Sequence, residues 1–351
     1  MTAPRLIAPL AAHQIDTARL GEYLAHHVEG FDATLRVRQF QGGQSNPTYL
    51  LESDTRKAVL RKKPPGILLP SAHQIDREFR IQKALAGSGV PVAAMLHYCA
   101  EESVIGTAFY VMDYLEGRVF TDVLMGELLP AERKAVQAAL FEAIGRLHAV
   151  DYEALGLGDF GRPSKYVERQ LTRWRAQYEA AKTEGLPAMD RLMDWLGRNI
   201  PAADENAIAH GDFRLGNMMV HPRAPVITAV LDWELATLGH PLADLAYCCS
   251  PFHLPAGSGP AMTGYGGVDL AAHGLASEDE VLDLYCRVTG RGEIKDWRFF
   301  LAFSLFRSAA IVEGVYARAL AGNAADERGI AMHEMTKITS ECGWRIVCDG
   351  N

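Results

Sequence analysis

A chain of 351 residues is longer than one ordinary hydrophobic core supports, so two lobes or domains are expected. Its composition, 48% hydrophobic and 22% charged, is globular and excludes a disordered chain. The formal charge of −8 argues against a nucleic-acid partner, which needs a basic face, although a local basic pocket can sit on an acidic protein.

Leu20, Tyr23 and Leu24 set a helical spacing over Asp16 to His27. Leu35 and Val37 then alternate with Arg36 and Arg38, a strand pattern. A turn at Gly42-Gly43-Gln44-Ser45-Asn46 precedes two further strands, Tyr49 to Glu52 and Ala58 to Lys62. After Pro64-Pro65-Gly66 and Pro70, Ser71 is placed to cap a helix carrying Ile75, Phe79, Gln82 and Leu85, closed by Gly87. Phe109 to Met112 is an apolar strand that runs into Asp113-Tyr114-Leu115-Glu116-Gly117. Strand, turn, strand, strand, helix, strand is the order of a small, mostly antiparallel sheet with one helix.

Beyond Gly117 helical periods dominate. Pro130 opens a helix through Val136, Leu140, Ile144 and Leu147. Tyr166 to Ala181, Ala188 to Asn199, Val281 to Val288, Trp297 to Leu320 and Ala325 to Ile338 are further predicted helices. A β-rich island, Ala207 to Asp232, interrupts them. The boundary between lobes falls between Leu115 and Arg118, giving lobes 1–115 and 116–351.

Six cysteines, Cys99, Cys248, Cys249, Cys286, Cys342 and Cys348, form no C-x-x-C pair and read as reduced thiols. No signal peptide is evident and no run of 18 apolar residues occurs, so the expectation is a cytoplasmic protein with no membrane contact.

The chemistry concentrates in His210-Gly211-Asp212-Phe213-Arg214-Leu215-Gly216-Asn217 and, beyond it, in Val230-Leu231-Asp232-Trp233-Glu234. Phosphoryl transfer asks for few groups. One carboxylate takes the proton of the attacking hydroxyl, and a second carboxylate with an amide oxygen holds a hard ion such as Mg²⁺. Asp212, Asp232 and Asn217 match those roles in that order. Gly-Asp alone is a common turn; here it occurs with an Asn five residues on and a second Asp ending an apolar strand. His210 is read as a brace for this loop.

This stretch resembles the catalytic loop of the aminoglycoside phosphotransferase and choline kinase superfamily. More narrowly, the chain is similar to the kinase-like domain found beside or fused to acyl-CoA dehydrogenases. The residues behind the likeness are Gly43-Gln44-Ser45-Asn46-Pro47-Thr48, Leu60-Arg61-Lys62-Lys63-Pro64-Pro65-Gly66, Leu69-Pro70-Ser71-Ala72-His73 and Leu231-Asp232-Trp233-Glu234-Leu235-Ala236-Thr237-Leu238-Gly239. It extends over residues 30 to 320 and implies an α+β, two-lobed, protein-kinase-like fold. The N-lobe would be a small antiparallel sheet, the C-lobe larger and mainly helical, with ATP in the cleft between them.

The resemblance implies further roles. Arg61 stands where kinases carry the phosphate-binding Lys, and Glu78 matches its partner. Lys62 competes for the role, but strand alternation points it to the opposite face. A solvated charge cluster is the bland reading of Arg61-Lys62-Lys63. Gly43, Gln44 and Ser45 would cover the phosphates, although the turn is not a full G-x-G-x-x-G and a plain hairpin explains it equally. Asp113 to Leu115 would form the hinge that meets adenine, and Asp244 would brace the catalytic loop. Trp233-Glu234 in place of Phe-Gly, and the lack of Ala-Pro-Glu, speak for a small-molecule kinase over a regulated protein kinase.

Gly156-Leu157-Gly158-Asp159-Phe160-Gly161 matches G-x-G-x-x-G but follows a helix, not a strand, so a dinucleotide site is rejected. Histidines His210, His221, His240 and His253 lack zinc-ligand spacing, and Glu278-Asp279-Glu280 reads as a solvated helix start. The expectation is an ATP- and Mg²⁺-dependent phosphotransferase acting on a small-molecule hydroxyl. The resemblance points to a hydroxyacyl-CoA as acceptor and to an acyl-CoA dehydrogenase as pathway partner. An antibiotic kinase is the alternative; it would need a carboxylate-rich pocket, and the last residues offer only Glu341 and Asp349. A nucleotide-binding module without turnover is the other.

Overall fold

The structure, a computed structural model, describes residues 6–41, 46–64, 74–257, 263–321 and 332–349. Gly43, Gln44, Ser45 and the Ser71 cap lie outside the described residues. In chain order the elements begin with β1 (Leu6–Ile7), α1 (Thr17–His27), β2 (Arg36–Phe40), β3 (Thr48–Glu52), β4 (Lys57–Lys62), α2 (Ile75–Leu85), β5 (Met95–Cys99), α3 (Glu102–Ile105) and β6 (Phe109–Asp113). There follow α4 (Pro130–His148), α5 (Tyr166–Ala181), α6 (Pro187–Arg198), β7 (Ala207–Ala209), β8 (Met218–Val220) and β9 (Ile227–Val230). The chain continues with β10 (Thr237–Gly239), α7 (Pro241–Cys249), α8 (Glu278–Thr289), α9 (Trp297–Leu320) and α10 (Met332–Cys348).

These elements gather into two compact units. One comprises Met1–Val119, Glu153–Leu157 and Asn217–Ala236; the other Phe120–Tyr152, Gly158–Gly216 and Thr237–Asn351.

The first unit is built on an antiparallel sheet in the order β1-β2-β3-β4-β6-β5. β1 and β5 add to the strands expected from the sequence. Period-two alternation sends Tyr49, Leu51, Ala58, Leu60, Phe109 and Val111 to one face, where they pack with Leu20 and Leu24 of α1. Tyr110 lies on the opposite face with Ile75 and Phe79 of α2. Because Arg61 is in register with Tyr110, it shares that second face. The β8–β9 hairpin belongs to this unit. It is tied down where Arg118 exchanges backbone hydrogen bonds with Val220 at 2.7 and 2.8 Å. Gly117 makes that approach possible, since a Cβ there would lie 2.4 Å from the Met219 sulfur. After β9, buried Trp233 donates to the Val230 carbonyl at 2.9 Å and fixes a turn packed on α2.

The second unit is helical apart from the antiparallel pair β7–β10. Its centre is α9, with Phe299, Phe300, Phe303, Leu305, Phe306 and Ala309 all buried, packed on α10, α5, α7 and α6. By length and composition α9 could cross a membrane, but 72% of its most apolar window is buried inside the protein, as in a core helix. Pro130 starts α4, which packs on α8 so closely that a Cβ at Gly145 would lie 2.7 Å from Val288. Ser277 and Glu280 form the capping box of α8, so the acidic run there serves a helix start. The last helix is described from Met332 to Cys348, beyond the predicted end at Ile338, and the start of the predicted Ala325 to Ile338 lies outside the described residues.

Candidate active site

Buried β7 ends at Ala209, His210 follows it, and Gly211 turns the chain with φ +84°, a conformation that costs a residue with a Cβ about 1 kcal/mol or more. The loop that follows carries Asp212. Asp244, in the first turn of α7, accepts from the His210 N–H at 2.8 Å and the Gly211 N–H at 2.9 Å. Burial pushes the Asp244 carboxyl up, but His148, 3.4 Å away, and His210 outweigh it, and its pKa lies below the ordinary value. His210 is fully buried and accepts from the Asp212 N–H at 3.3 Å. Arg307 of α9 donates to the Gly211 carbonyl at 2.6 Å.

The Asp212 side chain, about a quarter exposed (23%), accepts from the Tyr247 hydroxyl at 2.6 Å and lies 3.3 Å from Arg214. Burial, then Asp212 itself, raises the Tyr247 pKa, so the phenol stays a proton donor. The result is a carboxylate held on a pinned loop with its second oxygen beside a guanidinium. Such a group can take a proton from a hydroxyl.

A second array lies within the first unit. Arg61 forms an ion pair with Glu78 at 3.1 Å, donates to Asp232 at 2.9 Å and comes within 3.7 Å of Glu234. Glu78 is 1% exposed and accepts from Asn46 at 2.8 Å and the Tyr110 hydroxyl at 3.0 Å. Burial pushes its carboxyl up, and Arg61 pulls against that rise. Lys62 lies on the other face, 5% exposed, with its ammonium 5.9 Å from the Tyr49 ring centre. The guanidinium directed towards Glu78 and Asp232 is therefore that of Arg61.

Asn217 and Asp232 are brought together by the β8–β9 hairpin, where the Leu231 N–H donates to the Asn217 carbonyl at 2.8 Å. Asp232 adopts φ +66°, a left-handed conformation that Asp tolerates better than most residues. Among the described residues no cluster of three or more His, Cys, Asp or Glu forms a metal site. One carboxylate with one amide oxygen is instead a sparse, all-oxygen set, which fits Mg²⁺ shared with phosphates and water. Asp113 ends β6 with its carboxylate 2.6 Å from Arg56 and its N–H on the Ala94 carbonyl at 2.9 Å. Half-buried Leu115 lies on the irregular stretch beyond it.

Tyr247 and Arg307 did not emerge from the sequence reading. Tyr247 follows Asp244 by three positions on one helix, a spacing that places both on the same face. Arg307 comes from a helix 96 positions beyond Gly211, and no local pattern marks it.

A family model described as "Phosphotransferase enzyme family" matches residues 36–274. The chain is 43% identical over 343 residues to acyl-CoA dehydrogenase family member 11 of Homo sapiens, covering 96% of this chain and 44% of that protein. It thus spans less than half of that relative's length. A structure of a "putative aminoglycoside phosphotransferase" from Ralstonia eutropha JMP134 superposes with a TM-score of 0.88 at 43% identity, covering 96% of this chain and 99% of the other. Choline kinase from Cryptosporidium parvum shares the fold, with a TM-score of 0.63 at 10% identity over 95% of this chain and 97% of that one. With its antiparallel N-terminal sheet and helical C-terminal region, the chain has a kinase-like fold and belongs to the phosphotransferase enzyme family.

Proposed function

We propose that the chain is an ATP-dependent kinase of a small-molecule hydroxyl, with a hydroxyacyl-CoA as the acceptor class. The observation that carries the phosphotransfer reading is the state of Asp212: a partly exposed carboxylate fixed by Tyr247 on a loop anchored by Asp244. In this reading Asp212 takes the acceptor's hydroxyl proton as the oxygen attacks the γ-phosphorus of ATP. The new P–O bond forms, the bond to the β–γ bridging oxygen breaks, and ADP leaves. Arg61 grips nucleotide phosphate oxygens, and Glu78 keeps its guanidinium oriented. Asn217 and Asp232 are the residues that would hold Mg²⁺, which when bound neutralises charge on the phosphates.

The acyl-CoA part rests on the names of relatives such as acyl-CoA dehydrogenase family member 11. An acyl-CoA dehydrogenase in the same pathway is the partner we propose with it. The test is ADP release from Mg-ATP with hydroxyacyl-CoAs, choline and aminoglycosides, with Asp212→Asn in parallel. Turnover stimulated by hydroxyacyl-CoA and reduced about 10²- to 10⁴-fold in the variant is the expected result. Stimulation by another compound replaces the acceptor, and ATP binding without any stimulated turnover removes the kinase reading.

A further inference from the structure

Contacts continue from Asp212 across the surface of the helical unit. The Tyr247 hydroxyl is 2.6 Å from the Asp212 carboxylate, and the Tyr247 ring centre is 5.4 Å from the Arg307 guanidinium. That guanidinium lies 5.5 Å from the ring of Trp174, and Arg173 stacks on the same ring at 5.4 Å. Arg214 stands at the other end, 3.3 Å from Asp212. The string therefore holds three guanidinium groups and one carboxylate, on a chain whose formal charge is −8. Three cations also face Tyr166: burial and then Asp244 push its phenol up, while Arg307, Arg169 and Arg173 pull against that rise.

Arg307 is committed to the loop through the Gly211 carbonyl. Arg173 is exposed and Trp174 half-buried. A guanidinium stacked on an indole presents its N–H groups at its edge, in the planar fork that matches a phosphate. A cationic acceptor would meet like charge along this wall, and like-charge juxtaposition is strongly unfavourable.

We propose that the acceptor carries a phosphate group remote from its reacting hydroxyl, and that Arg173 and Trp174 are the residues that recognise it. The proposal rests on the phosphotransferase reading for its direction and adds the acceptor's charge and the side chains that select it.

The experiment uses the native chain, Arg173→Gln and Trp174→Phe, each saturated with ADP and titrated with coenzyme A, pantetheine and inorganic pyrophosphate while tryptophan fluorescence is read. Coenzyme A should quench the native chain and leave Trp174→Phe unquenched. Its dissociation constant should rise about tenfold in Arg173→Gln, the loss of one charge-assisted contact, and rise further with salt. Pyrophosphate quenching without coenzyme A binding supports the phosphate site and assigns it to a smaller acceptor. Pantetheine binding as tightly as coenzyme A overturns the proposal, as does unchanged affinity in Arg173→Gln, whose exposed position makes misfolding a poor explanation. Absence of ADP binding would instead count against the kinase reading, and the anion titration without ADP would still report on the wall.

Discussion

Asp244 meets His210 by accepting its backbone N–H at 2.8 Å, and the other carboxylate oxygen takes the Gly211 N–H at 2.9 Å. One side chain thus satisfies both donors at the entry to the Asp212 loop. Asp244→Asn keeps the shape but turns an amide donor towards a backbone donor. The expected cost is about 2–4 kcal/mol in stability, with reduced turnover, measured by urea denaturation and steady-state kinetics. A carboxyl whose folded pKa is depressed stabilises at all pH above its unfolded value, and that contribution is lost as pH falls through the folded one. The native chain should therefore lose stability on acidification below about pH 3.9, and the variant should show a flatter acid limb.

Tyr247 acts on Asp212 through one hydroxyl, 2.6 Å away. Tyr247→Phe should lower kcat about tenfold while leaving KM for ATP unchanged. If the phenol works only through Asp212, the double variant with Asp212→Asn will be no slower than Asp212→Asn alone. Additive losses would assign Tyr247 a separate role.

Arg61 leaves Glu78 without its cation when removed. Glu78 is 1% exposed, and breaking a buried pair typically costs about 3–5 kcal/mol. Arg61→Ala should therefore lose both stability and nucleotide affinity. Arg61→Lys should retain much of the stability while raising KM for ATP, because an ammonium lacks the planar fork. Thermal denaturation with and without ATP separates the two effects.

His240 gives a second pH signature. Its ring is 1% exposed, caps α7 by accepting from the Leu242 N–H at 3.2 Å, and lies tilted against Phe300 with the ring centres 4.4 Å apart. Burial pulls its pKa down to about 4. A histidine whose folded pKa is depressed destabilises the fold as pH falls below its unfolded value. From pH 8 to 5 the loss should be about 2 kcal/mol. His240→Asn keeps a capping oxygen and should lose that slope in urea titrations at the two pH values.

Elements with a clear period were readable before the structure. Tyr166–Ala181 and Trp297–Leu320 have the predicted ends, and α4 begins at Pro130. β5 was not, because its residues are mostly half-buried and its register shifts between Met95 and His97, so alternation never develops. α7 is buried nearly all round, which removes the polar face that marks a surface helix. The same division holds for the site. Asp212, Asn217 and Asp232 lie in contiguous motifs whose chemistry shows locally. The ring and guanidinium at the Asp212 loop, Tyr247 and Arg307, come from helices that only tertiary packing brings to it.

The sheet unit is assembled from Met1–Val119, Glu153–Leu157 and Asn217–Ala236, so it is not a contiguous product of translation. As the chain leaves a ribosome, Arg61 emerges 171 positions before Asp232, and its side chain must wait for the hairpin that supplies this partner. A fragment ending at Val119 would carry the sheet but lack both Asn217 and Asp232. Contacts so far apart in sequence favour slow, late completion over early local folding. On this topology a premature stop anywhere before Ala236 spoils the amino-terminal half as surely as the carboxy-terminal one.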